Sequence, residues 1–127
     1  MNIYESGEDY LETILMLKER NGNVRSIDIA HEMNFKKPSV SYAMKQFREN
    51  GYILVDEDGF IHLTESGEQI AKRVYERHRV LTQLLLFLGV SKENAKKDAC
   101  KIEHDLSEET FDCIKGYLLK SGVNLNL

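Results

Sequence analysis

Apolar residues recur at the spacing of amphipathic helices along most of the chain, and two short β-type runs interrupt them near the middle. The predicted elements are helices over 7–20, 27–33 and 38–50, strands over 52–55 and 60–63, and helices over 65–88, 92–105 and 108–120. Residues with a side-chain hydroxyl precede five of the six helices and are predicted to cap them, namely Ser6, Ser26, Thr64, Ser91 and Ser107.

The order helix, helix, turn, helix, hairpin is that of a winged helix-turn-helix DNA-binding domain. The turn at 34–36 is short, and Pro38 suits the start of the next helix because its missing N–H would have no helical partner there. The pattern predicts a mostly α fold with a small β-wing, divided into a winged helix-turn-helix domain over 1–64 and a helical domain over 65–127.

The helical domain contains a leucine-rich run, VLTQLLLFL, with more apolar surface than one helix can bury on a small domain. A helical subdomain packed within the same chain would cover this surface. A homodimer interface would also cover it, and we expect the homodimer because operators with two-fold symmetry are bound by two-fold proteins.

Composition places the chain among ordinary globular proteins of the cytoplasm. It has 127 residues, 42% hydrophobic and 30% charged. No apolar run approaches the roughly 20 residues of a membrane span, and the acidic start lacks the pattern of a secretory signal. Cys100 and Cys113 both fall in predicted helices and indicate no disulfide scaffold, so a reducing cytoplasm is expected.

The net charge of −4 argues against nucleic acid, but the charge is segregated along the chain. Residues 1–12 contain four acidic residues and no Lys or Arg, whereas residues 36–48 contain four basic residues and no acid. This distribution is expected if one region binds a cation and another binds an anion.

The basic segment coincides with the second helix of the predicted helix-turn-helix, which would bury Val40, Ala43, Met44 and Phe47. The candidate DNA-binding residues are Arg25, Ser26, Lys36, Lys37, Pro38, Ser39, Ser41, Tyr42 and Lys45. Ser and Tyr can donate to phosphate or base edges, and Lys neutralises phosphate. An ordinary solvated helix face is the alternative, although the turn and the hairpin favour DNA. The acidic hairpin tip at 56–58 should contribute little affinity.

Two acidic residues of the first helix, Asp9 and Glu12, lie one turn apart and have no basic residue at helical spacing. Such carboxylates repel each other unless a cation or a distant base compensates them. A capping box with Ser6 is the alternative for Asp9.

A second candidate cluster lies in the segment DACKIEHDLS. Cys100, Glu103 and His104 fall within about 100° of arc on one helix face, so their side chains can converge on one cation. His78, on the long helix, adds an imidazole, although a solitary His on an apolar face is usually structural. These six residues on three helices predict a site for a divalent transition metal.

Several segments together resemble the diphtheria toxin repressor family of metal-dependent transcription regulators, over nearly the whole chain. The matching segments are EDYLETI, SIDIAHEM, KPSVSYAM, LTESGEQIA, RHRVL and the C-x-x-E-H of Cys100 to His104. The length is similar to that of the short manganese-sensing branch. The resemblance implies a non-enzymatic repressor of metal homeostasis that binds a palindromic, double-stranded operator as a metal-loaded dimer.

The resemblance also implies ligands: Asp9, Glu12, His78, Glu103 and His104 match positions of the manganese-sensing branch. Cys100 departs from that branch, which has Glu there, and instead resembles the iron-sensing branch. The ancillary site of the iron-sensing branch is not implied, because Thr82 and Lys96 replace its Glu and His. Mn²⁺ favours oxygen ligands, whereas thiolate and imidazole suit Fe²⁺, Co²⁺, Ni²⁺ and Zn²⁺ better.

The expected arrangement is one main site of Asp9, Cys100, Glu103 and His104, with a weaker second ion near Glu12 and His78. Mn²⁺ or Fe²⁺ is the expected metal. Two other functions remain open at this point. A metal-independent winged-helix regulator would bind its operator without metal. A metalloenzyme would need a substrate pocket, and the sequence contains no recognised catalytic motif that would support one.

Overall fold

The computed structural model describes residues 1–125, which form six helices and one two-stranded antiparallel sheet. The elements are α1 (Glu5–Asn21), α2 (Ser26–Met33), α3 (Lys37–Glu49), β1 (Ile53–Val55), β2 (Ile61–Leu63), α4 (Glu65–Phe87), α5 (Lys92–Ile102) and α6 (Glu108–Lys120). The predicted fold class, mostly α with a small β-wing, is confirmed. The chain divides into two compact units, Met1–Arg73 and Val74–Leu127, and α4 contributes residues to both.

The N-terminal unit is built on the apolar faces of its first three helices. Its core contains Leu11 and Ile14 of α1, Ile29 of α2 and Phe47 of α3, all buried. The turn between α2 and α3 passes through Asn34 at φ 56°, a left-handed conformation that Asn tolerates better than most residues. The predicted helix-turn-helix is therefore present.

The strands pair as a short hairpin, with Leu54 opposite His62. The hairpin is attached to the rest of the unit by the N–H of Ile61, which donates to the carbonyl of Val24 at 2.7 Å. This bond fixes the wing beside the segment that leads into α2.

The first turn of α4 packs directly on the hairpin. The hydroxyl of Thr64 accepts the N–H of Gly67 at 3.3 Å, as its predicted capping role requires, and donates to the carbonyl of Gly51 at 2.6 Å. A Cβ on Gly67 would lie 2.1 Å from the carbonyl oxygen of Tyr52. Only glycine allows this approach.

The C-terminal unit has its own core, formed by Val80 of α4, Phe111 and Leu118 of α6, and Leu125. The predicted caps are confirmed here, because the hydroxyls of Ser91 and Ser107 accept N–H groups of the first turns of α5 and α6. Across residues 1–125, no helix combines the length and the apolar character that crossing a membrane requires.

Two predicted caps are wrong. Helix α1 begins at Glu5, so Ser6 lies inside it, and the N-cap Tyr4 makes no side-chain capping bond. Acidic side chains in the first turn favour this earlier start, because they interact favourably with the positive end of the helix dipole. Ser26 likewise lies inside α2, whose N-terminus is closed by Asp28 accepting the N–H of Arg25 at 2.8 Å.

Candidate functional site

Helix α3 has a buried apolar face and an exposed polar face. Val40, Met44 and Phe47 are buried. The seven candidate residues on and next to this helix are all exposed, namely Lys36, Lys37, Pro38, Ser39, Ser41, Tyr42 and Lys45. The side chain of Tyr42 projects far, with 67% of its surface exposed. This face therefore offers hydroxyl donors and ammonium groups to an anionic partner.

The remaining two candidates for DNA binding lie at the beginning of α2. Arg25 is exposed, and its guanidinium lies 4.4 Å from the ring centroid of Phe60 at the wing. Ser26 is half-buried. Arg25 thus holds a positive charge close to the turn of the hairpin, whereas Ser26 offers less surface to a partner.

The acidic wing tip contains a hydrogen-bond network that sequence reasoning missed. One carboxylate oxygen of Asp56 accepts the N–H groups of Asp58 and Phe60, and the other lies 2.8 Å from Nε2 of His62. The hydrogen bond from His62 is the main cause that lowers the pKa of Asp56. Nδ1 of His62 lies 2.9 Å from Nζ of Lys18, so part of the tip's negative charge is compensated.

Three of the candidate metal ligands meet at the end of α5. Sγ of Cys100, a carboxylate oxygen of Glu103 and a ring nitrogen of His104 lie within 4.8 Å of one another. Helix α5 ends at Ile102, earlier than predicted. Glu103 nevertheless keeps helical torsion angles and donates its N–H to Ala99, so the i, i+3, i+4 spacing still brings the three side chains together.

A fourth candidate in the same unit, His78 of α4, approaches this cluster. Its Nδ1 lies 3.9 Å from Oε2 of Glu103. Glu103 is 1% exposed, and the side chain of His104 is 4% exposed. A buried carboxylate beside two imidazoles and a thiol is a donor set that fits a divalent transition metal, because such an ion stabilises carboxylate and thiolate and accepts neutral imidazole.

The other two candidates, Asp9 and Glu12, belong to the N-terminal unit. They lie one turn apart on α1, with Asp9 half-buried and Glu12 5% exposed. The capping-box alternative for Asp9 is wrong, because Ser6 lies inside the helix. Their neighbour Glu8 forms an ion pair with Arg73 at 2.7 Å, a distant base that the sequence pattern did not indicate.

Sequence reasoning also passed over Arg77, which directly precedes His78. Arg77 is 7% exposed and donates to the carbonyl oxygens of Glu103 and Leu106. Its only sequence signal was its place in the RHRVL segment, since a pattern of residue types does not show which main-chain carbonyls a side chain will reach.

Comparison with known proteins gives matches along nearly the whole chain. A family model described as the N-terminal DNA binding domain of iron dependent repressors matches residues 2–59. A second, described as the metal binding and dimerisation domain of iron dependent repressors, matches residues 64–122.

Individual relatives include transcriptional regulators and a metal-dependent regulator of known structure. An uncharacterised HTH-type transcriptional regulator of Methanocaldococcus jannaschii is 35% identical over 118 residues, covering 91% of this chain and 94% of that protein. Transcriptional regulator MntR of Escherichia coli is 36% identical over 115 residues, covering 91% and 74%. The solved structure of the manganese regulator SloR matches with a TM-score of 0.79 and 27% identity, covering 94% of this chain and 55% of that one. This chain thus spans about half the length of the solved relative.

Proposed function

Because this chain belongs to the iron dependent repressor family, we propose that it is a transcriptional repressor whose DNA binding is turned on by Mn²⁺ or Fe²⁺. The family consists of transcriptional regulators rather than enzymes, which excludes the metalloenzyme considered above. Metal homeostasis is the process that such a repressor would control, and the cytoplasm is where it would meet both DNA and metal.

The observation that carries this proposal is the cluster of Cys100, Glu103 and His104, whose ligand atoms lie within 4.8 Å of one another. A thiol, a carboxyl and an imidazole all bind metal in their deprotonated forms, so a divalent cation would replace any protons that they carry. Co²⁺, Ni²⁺ and Zn²⁺ accept the same donors and would substitute in vitro.

Asp9 is proposed as the ligand that completes the main site, and Glu12 with His78 as ligands of a second, weaker ion. This assignment rests on the match of these positions to the family's manganese-sensing branch and on the loss of the capping alternative for Asp9. Asp9 and Glu12 lie in one compact unit and the other ligands in the second. Cation binding would therefore favour one arrangement of the two units over others.

DNA binding is assigned to the polar face of α3. Lys37 and Lys45 would contact phosphates, and Ser39, Ser41 and Tyr42 would reach phosphates or base edges. Lys36 and Pro38 begin this surface, and Arg25 with Ser26 would contact the backbone beside the wing. We propose that these nine residues together contact the DNA. The functional domains on this proposal are 1–64 for DNA and 65–127 for metal and dimerisation.

A homodimer on a palindromic operator is proposed as the active form. The second unit exposes large apolar side chains, with Phe87 51% and Leu88 66% exposed at the end of α4. Burial of such residues between two copies is a common source of dimer stability. Sedimentation at micromolar concentration should give a dimeric mass with or without metal, and a monomeric mass in the presence of metal would contradict the dimer.

Since the operator is unknown, the proposed function is best tested by selecting DNA from a pool of random duplexes. Selection is run with Mn²⁺, with Fe²⁺ under anaerobic reducing conditions, and with a chelator. We expect a two-fold symmetric sequence to be enriched only with metal. Equal enrichment with chelator would instead identify a metal-independent regulator, and no enrichment under any condition would contradict DNA-sequence recognition.

A further inference from the structure

Arg77 is an unusual residue to find inside the C-terminal unit, because arginine is rarely buried without a specific partner. It lies on α4 immediately before His78 and is 7% exposed. Its guanidinium lies 5.3 Å from the ring centroid of Phe111 on α6. Arg77 thus lies beside the Phe111 ring of the C-terminal core and beside the segment that joins α5 to α6.

The hydrogen bonds of Arg77 go to that joining segment. Nη1 donates to the carbonyl oxygen of Glu103 at 3.0 Å and to the carbonyl oxygen of Leu106 at 2.7 Å. The last carbonyls of a helix lack intrahelical partners and form its negative end, so a cation is stabilising there. Arg77 therefore fixes the main chain on both sides of His104.

We propose that Arg77 is a positioning residue for metal binding, which holds the main chain of Glu103 so that its carboxylate stays beside His104 and His78. This inference rests on the proposed metal site. Ligands must be held within about 0.5 Å of their productive positions, and groups that orient ligands typically change metal affinity about 10- to 100-fold when removed.

Simple electrostatics and the proposed positioning role predict opposite changes in metal affinity when Arg77 is removed, so the two can be distinguished. Removing a positive charge near a cation site should strengthen cation binding. If Arg77 acts through geometry, its removal should weaken binding instead. A residue that served only the fold would lower the melting temperature and leave the affinity of the folded protein unchanged.

The test measures Co²⁺ affinity and the Co²⁺–thiolate absorption band in the full-length chain, beside the thermal melt of the metal-free protein. Arg77→Met should bind Co²⁺ about 10- to 100-fold more weakly, with an altered band. Arg77→Lys keeps the charge but replaces the planar guanidinium with a compact ammonium group at a different position, so it should recover only part of the affinity. Lys115→Met is the matched control. Lys115 of α6 pairs at 2.6 Å with Glu76, which precedes Arg77 on α4.

The outcomes separate this inference from the proposed function. Loss of Co²⁺ binding in His104→Ala together with unchanged or tighter binding in Arg77→Met would overturn the role of Arg77 alone. Absence of Co²⁺ binding by the unmodified chain would overturn the metal site itself. If Arg77→Met does not fold, Arg77→Lys decides: wild-type affinity and an unchanged band would contradict the proposal.

Discussion

Nδ1 of His78 on α4 lies 3.9 Å from Oε2 of Glu103 at the end of α5. Nothing in the local pattern of either helix requires this approach, which depends on how α4 and α5 pack within the C-terminal unit. Glu103 is also within 4.8 Å of the ligand atoms of Cys100 and His104. The buried carboxylate of Glu103 is thus the group around which the candidate ligands of this unit gather.

Cys100 should set the metal preference. Cys100→Glu replaces a soft thiolate with a hard carboxylate, so the ratio of Mn²⁺ to Co²⁺ affinity should rise by about an order of magnitude. Competition titrations of the two metals measure this ratio. Cys113→Ser, which changes an exposed thiol on α6, is the control and should leave the ratio unchanged. An unchanged affinity ratio in Cys100→Glu would contradict the assignment of Cys100 as a metal ligand.

The basic residues of α3 should contribute to the salt dependence of DNA binding. Lys37→Ala and Lys45→Ala would each remove a proposed phosphate contact, so each should reduce the magnitude of the slope of log affinity against log salt by about one unit. Lys92→Ala, which removes an exposed Lys at the start of α5, is the control. Unchanged slopes in both α3 variants would place the DNA on another surface.

Gly67 should be intolerant of a side chain. Gly67→Ala places Cβ against the carbonyl of Tyr52 and should destabilise the winged-helix unit by about 1–3 kcal/mol, as overpacking does. Gly116→Ala is the matched control on α6, where nothing lies within 4 Å of the added Cβ. That change should stabilise the protein by about 0.5–1 kcal/mol through helix propensity. Denaturant melts compare the two, and equal effects would contradict the close approach at Gly67.

The wing should lose stability in acid through Asp56. Its pKa lies below the ordinary value of 3.8, because His62 and two backbone N–H groups stabilise the carboxylate. A lowered folded-state pKa adds stability above that ordinary value and loses it as the pH falls further. Asp56→Asn should therefore lower the melting temperature at pH 7, with a difference from wild type that shrinks below about pH 4. Asp58→Asn keeps the backbone N–H of the turn and is the control. A difference independent of pH would contradict this account.

The fold was predictable because it depends on periodic apolar patterns and on short-range capping. Thr64, Ser91 and Ser107 cap helices as predicted, whereas Ser6 and Ser26 lie inside theirs. Both wrong cap predictions have local causes that the position of a hydroxyl residue in the sequence does not indicate. At α1 the acidic first turn shifts the start, and at α2 a carboxylate two residues later closes the helix instead.

The candidate site was only partly predictable. The convergence of Cys100, Glu103 and His104 follows from helical spacing alone. The approach of His78 to Glu103 and the bonds from Arg77 to main-chain carbonyls arise from tertiary packing. The Lys18–His62–Asp56 network of the wing likewise joins residues from α1 and the hairpin. No short-range pattern specifies such contacts.

The central claim, that metal and operator binding are coupled, is tested most directly by measuring both affinities in one linked set. Operator affinity is determined with Mn²⁺ and with chelator, and Mn²⁺ affinity with and without operator, at fixed salt. We predict that both affinities rise by the same factor, of about 5 to 150, because coupling is reciprocal. The factor should fall to one in Asp9→Ala while the protein stays folded. Equal operator affinity with Mn²⁺ and with chelator in the unmodified protein would contradict the claim.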